Sequence, residues 1–201
     1  MKKKILIIGG AGFIGHNLSL NLCKKDYEVY IVDSLAVNNF FSVINNKDNL
    51  KNPKIAEVFL QERLSLIRSS NIKMTILDAR DYHQLSKIIS SIVPDVIIQL
   101  AAVSHANRSN KDPHSTFDHS FRTLENALDC AKHFGSHFIY FSSSMVYGNF
   151  KQPEVNENSL CDPIGIYGAL KYSGEKLVKA YNQVFNLPYT IIRPSALYGE
   201  R

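Results

Sequence analysis

No stretch of this chain holds the 18 or so consecutive apolar residues that a helical membrane span requires. The opening Met1-Lys-Lys-Lys leads into only four apolar residues, too few for the apolar core of a secretion signal, so a cytoplasmic location is expected. Cysteine is scarce. Cys23, Cys130 and Cys161 are odd in number, far apart and outside any metal motif, which excludes a disulfide framework and leaves free, mostly buried thiols as the expectation. His83, His114, His119, His133 and His137 show no ligand spacing, and no metal site is expected. Internal repeats and low-complexity linkers are also missing. Runs of like charge are confined to Lys2 to Lys4 and Lys24-Lys25. The formal net charge of +5 is otherwise scattered, which speaks for solubility and a general attraction for anionic ligands rather than for a nucleic-acid partner.

What is present fits one globular domain. With 45% hydrophobic and 20% charged residues in 201, the chain has enough apolar material for a core. Short apolar or β-branched runs predict strands at Lys3 to Ile8, Glu28 to Val32, Lys73 to Leu77, Val96 to Leu100, Phe138 to Phe141 and Tyr189 to Ile192. These runs are continuous rather than alternating, as in strands buried on both faces. Helical stretches near 12–24, 82–92, 115–133 and 167–185 separate them. The fold class that follows is α/β, a doubly wound parallel sheet of Rossmann type. Between Ser34 and Asn71 the Asn/Lys-rich first half reads as loop. Ala56 to Ile67, with apolar Val58, Leu60, Leu64 and Ile67, reads as an amphipathic helix.

The first chemical centre is Ile5-Leu-Ile-Ile-Gly-Gly-Ala-Gly-Phe-Ile-Gly15, a strand entering a glycine turn that opens a helix. Gly9 permits the tight turn, Gly12 lets backbone approach a pyrophosphate, and Gly15 lets the helix pack close to the strand, with Phe13 and Ile14 in the same first helical turn. About 20 residues on, Val29-Tyr-Ile-Val ends in Asp33, placed to accept hydrogen bonds from an adenosine ribose. That carboxylate repels a 2′-phosphate and no Arg or Lys immediately follows it, so NAD is expected in preference to NADP.

The second centre joins Ser142-Ser-Ser-Met-Val-Tyr-Gly148 to Tyr167-Gly-Ala-Leu-Lys171. Residues four apart share a helix face, which puts the Lys171 ammonium beside the Tyr167 phenol or beside a ribose next to it. A cation there favours the phenolate, and a downward shift of about 2–3 units makes Tyr a base near neutrality. The serines follow an apolar strand at its carboxyl end, where ligands gather in open α/β sheets. Two readings stand for them: a hydrogen-bonded strand exit, or a Ser143 hydroxyl that shares the substrate proton with Tyr167. Arg193, at the end of the last strand, either binds a diphosphate or caps backbone carbonyls.

Taken in order, these segments resemble the extended short-chain dehydrogenases/reductases of the nucleotide-sugar epimerase and dehydratase family, and the similarity runs from Lys4 to Arg201. The resemblance implies that Asp78 and Ala79 bracket the adenine and that Leu100, Ala101 and Ala102 line the cofactor. It also implies that Ser143, Tyr167 and Lys171 form the catalytic triad. His105, Ser143, Ser144, Arg193 and Ser195 become candidates for touching substrate, a nucleotide-diphosphate sugar. Implied too are bound NAD, a homodimer, and a second, smaller carboxyl-terminal substrate domain that the 201 residues lack, so residues 1–201 read as the NAD-binding domain of a longer two-domain enzyme.

Departures refine the activity. Ile8, Gln99, Leu170 and Ser120 stand where the family commonly has Thr, His, Ser or Thr, and Asn, and Arg193-Pro-Ser-Ala196 lacks an Asn that touches the sugar nucleotide. The 4,6-dehydratase branch carries Thr-Asp-Glu where this chain has Ser143-Ser-Met145, which removes the acid pair needed to eliminate water. The expected activity is epimerisation, at C4, by transient oxidation on bound NAD. The alternatives are a dehydratase, a sugar or carbonyl reductase, and a nucleotide-binding module without turnover.

Overall fold

The computed structural model describes residues 2–37, 39–45, 52–104, 106–150 and 153–200. Its centre is a six-stranded sheet in which β1 (Lys4–Ile8), β2 (Glu28–Asp33), β3 (Lys73–Ile76), β4 (Val96–Gln99), β5 (His137–Phe141) and β6 (Tyr189–Ile192) are arranged in the order β3-β2-β1-β4-β5-β6. Every pairing is parallel, with Ile5 opposite Val29 on one side and Val96 on the other. Parallel neighbours need a crossover, and the helices supply it.

Side chains alternate across the strands, so each strand feeds two cores. Leu6, Ile8, Val32, Ile97 and Phe138 face α4 (Tyr82–Ile92), α7 (Thr123–Ala131) and α8 (Gly165–Phe185), meeting Leu85, Ile89, Leu128 and Val178. Ile5, Ile7, Val29, Ile31 and Ile98 face α1 (Phe13–Lys24) and α3 (Pro53–Arg68), meeting Leu18, Leu22 and Ile67. Leu6, Ile7 and Ile8 are wholly buried, and each such side chain contributes about 1.5–3 kcal/mol on leaving water. Burial on both faces holds for the middle of the sheet. It fails at the rims, where β3 leaves Ile76 exposed and β6 alternates between half-buried and exposed residues.

Local chemistry explains the helices that the sequence pattern did not give. Residues Phe40–Asn45 form the short α2 because the Asn39 side chain accepts from the Phe40 N–H and Ser42 closes the first turn on Asn39. In the 115–133 stretch, α6 (Pro113–Phe117) starts on an Asp112 cap with Pro113 in its first turn, and five π-helical residues, Asp118–Arg122, join it to α7. The short α5 (Ala106–Lys111) precedes α6. Of the cysteines only Cys130 is buried, with its thiol pushed up to about 11 by desolvation; Cys23 and Cys161 are half-buried. Among the described residues no His/Cys/Asp/Glu cluster could hold a metal, and no helix is long and apolar enough to cross a membrane.

Candidate active site

The crossover from β1 runs toward β2 while the chain after β4 runs toward β5, so the connections part company between β1 and β4. Ligands in open α/β sheets bind at such a switch point, beyond the carboxyl ends of the strands. A cavity of about 530 Å³ opens there, a size suited to a small-molecule ligand. Gly9, Gly12, Phe13, Ile14 and Gly15 line it from the glycine turn; Asp33, Asp78, Ala79 and Leu100 to Ala102 line it from the strand ends. Ser143, Tyr167, Lys171 and Ser195 line it from the far side.

The glycine turn has little room for substitution. Gly9 has φ +83°, and a Cβ there would lie 2.6 Å from the Ala101 nitrogen. A Cβ on Gly15 would lie 2.5 Å from Gly10 Cα, so α1 packs directly on the turn. Gly12 differs: its Cβ position meets only the Gly9 carbonyl, at 3.4 Å, and the residue lines the cavity. It also begins α1 without a side-chain cap, which leaves the first-turn N–H groups for a ligand. This cradle fits the pyrophosphate of a dinucleotide.

Asp33 fixes the turn from beside it. One carboxylate oxygen accepts from the Ala11 N–H at 2.9 Å and the other from the Leu35 N–H at 2.8 Å. Burial raises the Asp33 pKa, and these two N–H groups and the Arg63 guanidinium oppose that rise. The Ala11 carbonyl is held in turn by Asn39 Nδ2 at 3.0 Å and Arg63 Nη1 at 3.3 Å. Asp78 is gripped by Arg80, whose Nε and Nη2 both donate to it, which holds its carboxyl below the usual range. Gln99 supports the Leu100 to Ala102 loop, donating to the Ala101 carbonyl and to Thr123.

At the opposite end α8 presents Tyr167 and Lys171 one turn apart. Lys171 is buried, its ammonium donates to the Phe141 carbonyl at 2.7 Å, and it lies 5.9 Å from the Tyr167 ring centre. Desolvation pulls its pKa down to about 8. The Tyr167 phenol is shifted upward, not downward as the spacing suggested: burial dominates, opposed by a hydrogen bond with the Ser143 side chain. The helix spacing did bring the pair together, but here the ammonium is committed to a carbonyl of β5 and acts little on the phenol. Ser143 itself begins a 3₁₀ turn, Ser144–Tyr147. The three serines divide their roles: Ser142 donates to Glu175 at 2.6 Å, Ser143 meets Tyr167, and the Ser144 N–H donates to the Pro194 carbonyl.

Two candidate substrate residues are not at the cavity. Ser144 does not line it. Arg193 is drawn instead to Glu175, a fully buried carboxylate on α8 that requires a counter-charge; Nε and Nη2 reach it at 2.8 and 2.7 Å, and Nη1 donates to the Tyr147 hydroxyl and the Glu157 carbonyl. Of the two readings of Arg193 the geometry favours the structural one, a side chain held by Glu175 and the Glu157 carbonyl away from the cavity. His105 lies outside the described residues. The cavity wall also contains residues that the sequence pattern did not single out, among them Arg63, His119 and Thr123. A signal existed for Arg63, which falls in register with Leu60 and Ile67 on the buried face of α3, while Val58, apolar but half a turn away from Ile67, is exposed.

Comparison with known proteins agrees with this geometry. The profile of the NAD dependent epimerase/dehydratase family matches residues 5–201. The chain is 33% identical over 198 residues to Protein CapI of Staphylococcus aureus, covering 98% of this chain and 54% of that protein. It is 35% identical over 201 residues to the uncharacterized UDP-glucose epimerase YtcB of Bacillus subtilis (strain 168), covering 98% and 58%. The structure of UDP-glucuronic acid 4-epimerase from Bacillus cereus, in complex with UDP-glucuronic acid and NAD, superposes with a TM-score of 0.77 at 29% identity, over 94% of this chain and 55% of that one. The chain thus spans about half the length of the relatives it matches. A glycine cradle, a carboxylate at the end of β2 and a Ser/Tyr/Lys cluster in one cleft, together with a family profile over nearly every residue, place this chain in the NAD-dependent epimerase/dehydratase family.

Proposed function

We propose that these residues form the cofactor-binding and catalytic part of an NAD-dependent nucleotide-sugar 4-epimerase. The observation that carries the reading is the convergence of Ser143, Tyr167 and Lys171 on one cleft that Asp33 lines from the opposite side of the switch point. Gly12 and the first turn of α1 would hold the pyrophosphate, Asp33 the adenosine ribose, and Asp78 and Ala79 the adenine edge. Bound NAD supplies a hydride acceptor and donor for the sugar carbon. Tyr167, hydrogen-bonded by Ser143, removes the proton of the sugar hydroxyl at C4. Lys171, one turn along α8 and 5.9 Å from the Tyr167 ring centre, is the positive charge available to stabilise the phenolate. With the hydride taken up and later given back by bound NAD, Tyr167 would hold the proton while the sugar is a ketone and return it to the same oxygen when the other face is reduced.

Epimerisation is favoured over dehydration because Ser144 and Met145 stand where an eliminating enzyme needs an acid and a base. The names of the relatives point to UDP-hexoses or UDP-hexuronates as substrates. Tyr167→Phe is expected to abolish turnover of such sugars while leaving NAD affinity, read by titration calorimetry, within about threefold of wild type, since it removes the base and not the nucleotide pocket. Near-normal turnover by that variant, steady build-up of NADH, or solvent deuterium at the inverted carbon would each overturn the assignment.

A further inference from the structure

We propose that Asn39 is a cofactor-positioning residue: its side-chain amide, brought in from the segment after β2, holds the Ala11 carbonyl in the core and so keeps that oxygen away from a pyrophosphate bound at the glycine turn. The inference rests on the cofactor reading of the cleft and extends it to a residue that does not itself line the cavity.

Asn39 is only 1% exposed, so the polar atoms of its side chain need partners inside the protein. Oδ1 accepts from the Phe40 N–H at 2.8 Å, which starts α2 and fixes which way the amide points. Nδ2 is thereby turned to the Ala11 carbonyl, 28 residues earlier in the chain, at 3.0 Å; Arg63 Nη1 reaches the same oxygen at the longer distance of 3.3 Å. On its other side Ala11 gives its N–H to Asp33 at 2.9 Å. Both peptide planes that flank Ala11 are therefore held by side chains from outside the turn. The second plane joins Ala11 to Gly12, and a trans peptide points its C=O and N–H in opposite directions. Ala11 is fully buried, whereas Gly12 lines the cavity. Gly12 closes the turn on the Gly9 carbonyl at 3.4 Å and leads directly into α1, which starts without a side-chain cap. Freed from its donors, the plane could turn, because glycine accepts a wide range of backbone angles, and its oxygen would then set partial negative charge beside an anion. Asn39 opposes this with a neutral donor. A competing role is support of α2 alone, and the choice of ligand separates the two.

The affinity of the 201-residue chain is measured for NAD and ADP, which carry the diphosphate, and for adenosine, which lacks it, by calorimetry and NMR titration. Asn39→Ser keeps an acceptor at the start of α2, introduces no charge and is too short to reach Ala11. It should weaken NAD and ADP by the same factor, about tenfold, the worth of one net hydrogen bond, and leave adenosine within about twofold of wild type. Coupling between sites is reciprocal, so wild type provides a second arm that needs no variant: ADP should slow solvent exchange of the Asn39 side-chain amide protons and adenosine should not. That arm decides the matter if Asn39→Ser does not fold. Unchanged affinity for NAD and ADP would overturn the proposal, as would amide exchange that ADP leaves as it was. An equal loss for all three ligands would also overturn it and assign Asn39 to the fold alone. If wild type binds none of the three, the cofactor reading itself falls, and this inference with it.

Discussion

Lys171 spends stability to be where it is. Its ammonium is buried against the Phe141 carbonyl and its pKa falls from 10.5 to about 8, so the folded protein gives up the proton well before the unfolded chain does. Between those values the unfolded state binds more protons, and folding stability rises with pH; below about 8 both states hold the proton and the cost is constant. The whole rise amounts to roughly 3 kcal/mol. Urea unfolding of wild type and Lys171→Gln across this window should show a climb in wild type that the variant lacks. Equal slopes would mean that the ammonium is better solvated than the geometry implies. Asp33, the glycines and the Tyr167/Lys171 pair were legible in the sequence because each depends on short spacing. Glu175 and Arg193 were not, because what decides their roles is a partner brought from another element: each other.

Helix α8 carries both Tyr167 and Lys171, and its seat on the sheet is set by a glycine. A Cβ on Gly174 would lie 2.3 Å from the Tyr140 hydroxyl and 2.9 Å from Leu124 Cδ2, both belonging to buried side chains. Helix propensity alone favours Gly174→Ala by about 1 kcal/mol. Overpacking a rigid, buried ring costs about 1–3 kcal/mol, and the displaced ring is the one lying 5.3 Å from the Lys171 ammonium. Packing should win, so chemical denaturation of Gly174→Ala should show lower stability than wild type; a gain would show that α8 can lift off Tyr140 at little cost. The strand runs were readable to within a residue or two, as was the start of α4 at its Asp81 cap. Exposure at the rims was not readable, since Ile76 and Ile192 have the composition of central strands and only their place at the sheet edge sets them apart. The π-helical turn at Asp118–Arg122 leaves no mark in apolar spacing, yet it contains Ser120, whose hydroxyl accepts from the Val103 N–H and so ties that helix to the loop after β4.

For the molecule as a whole, the strand order has a kinetic meaning. The first strand made is the third in the sheet, and its two neighbours, β2 and β4, come from very different distances along the chain: Ile5 pairs with Val29 and with Val96. Half of the pairing of this central strand must wait for a segment near the midpoint of the sequence, and the ordering entropy is spent before the contacts that offset it exist. Refolding from urea, followed by stopped-flow fluorescence of the tyrosines, should therefore be slow for a domain of this size, in the millisecond-to-second range or beyond, as expected for high contact order. Submillisecond refolding would contradict it. During synthesis the same order leaves Ile5 to Ile8, all buried in the finished fold, without the β4 side of their shelter until residues 96–99 have cleared the ribosome, an interval in which a chaperone has its best opportunity to bind.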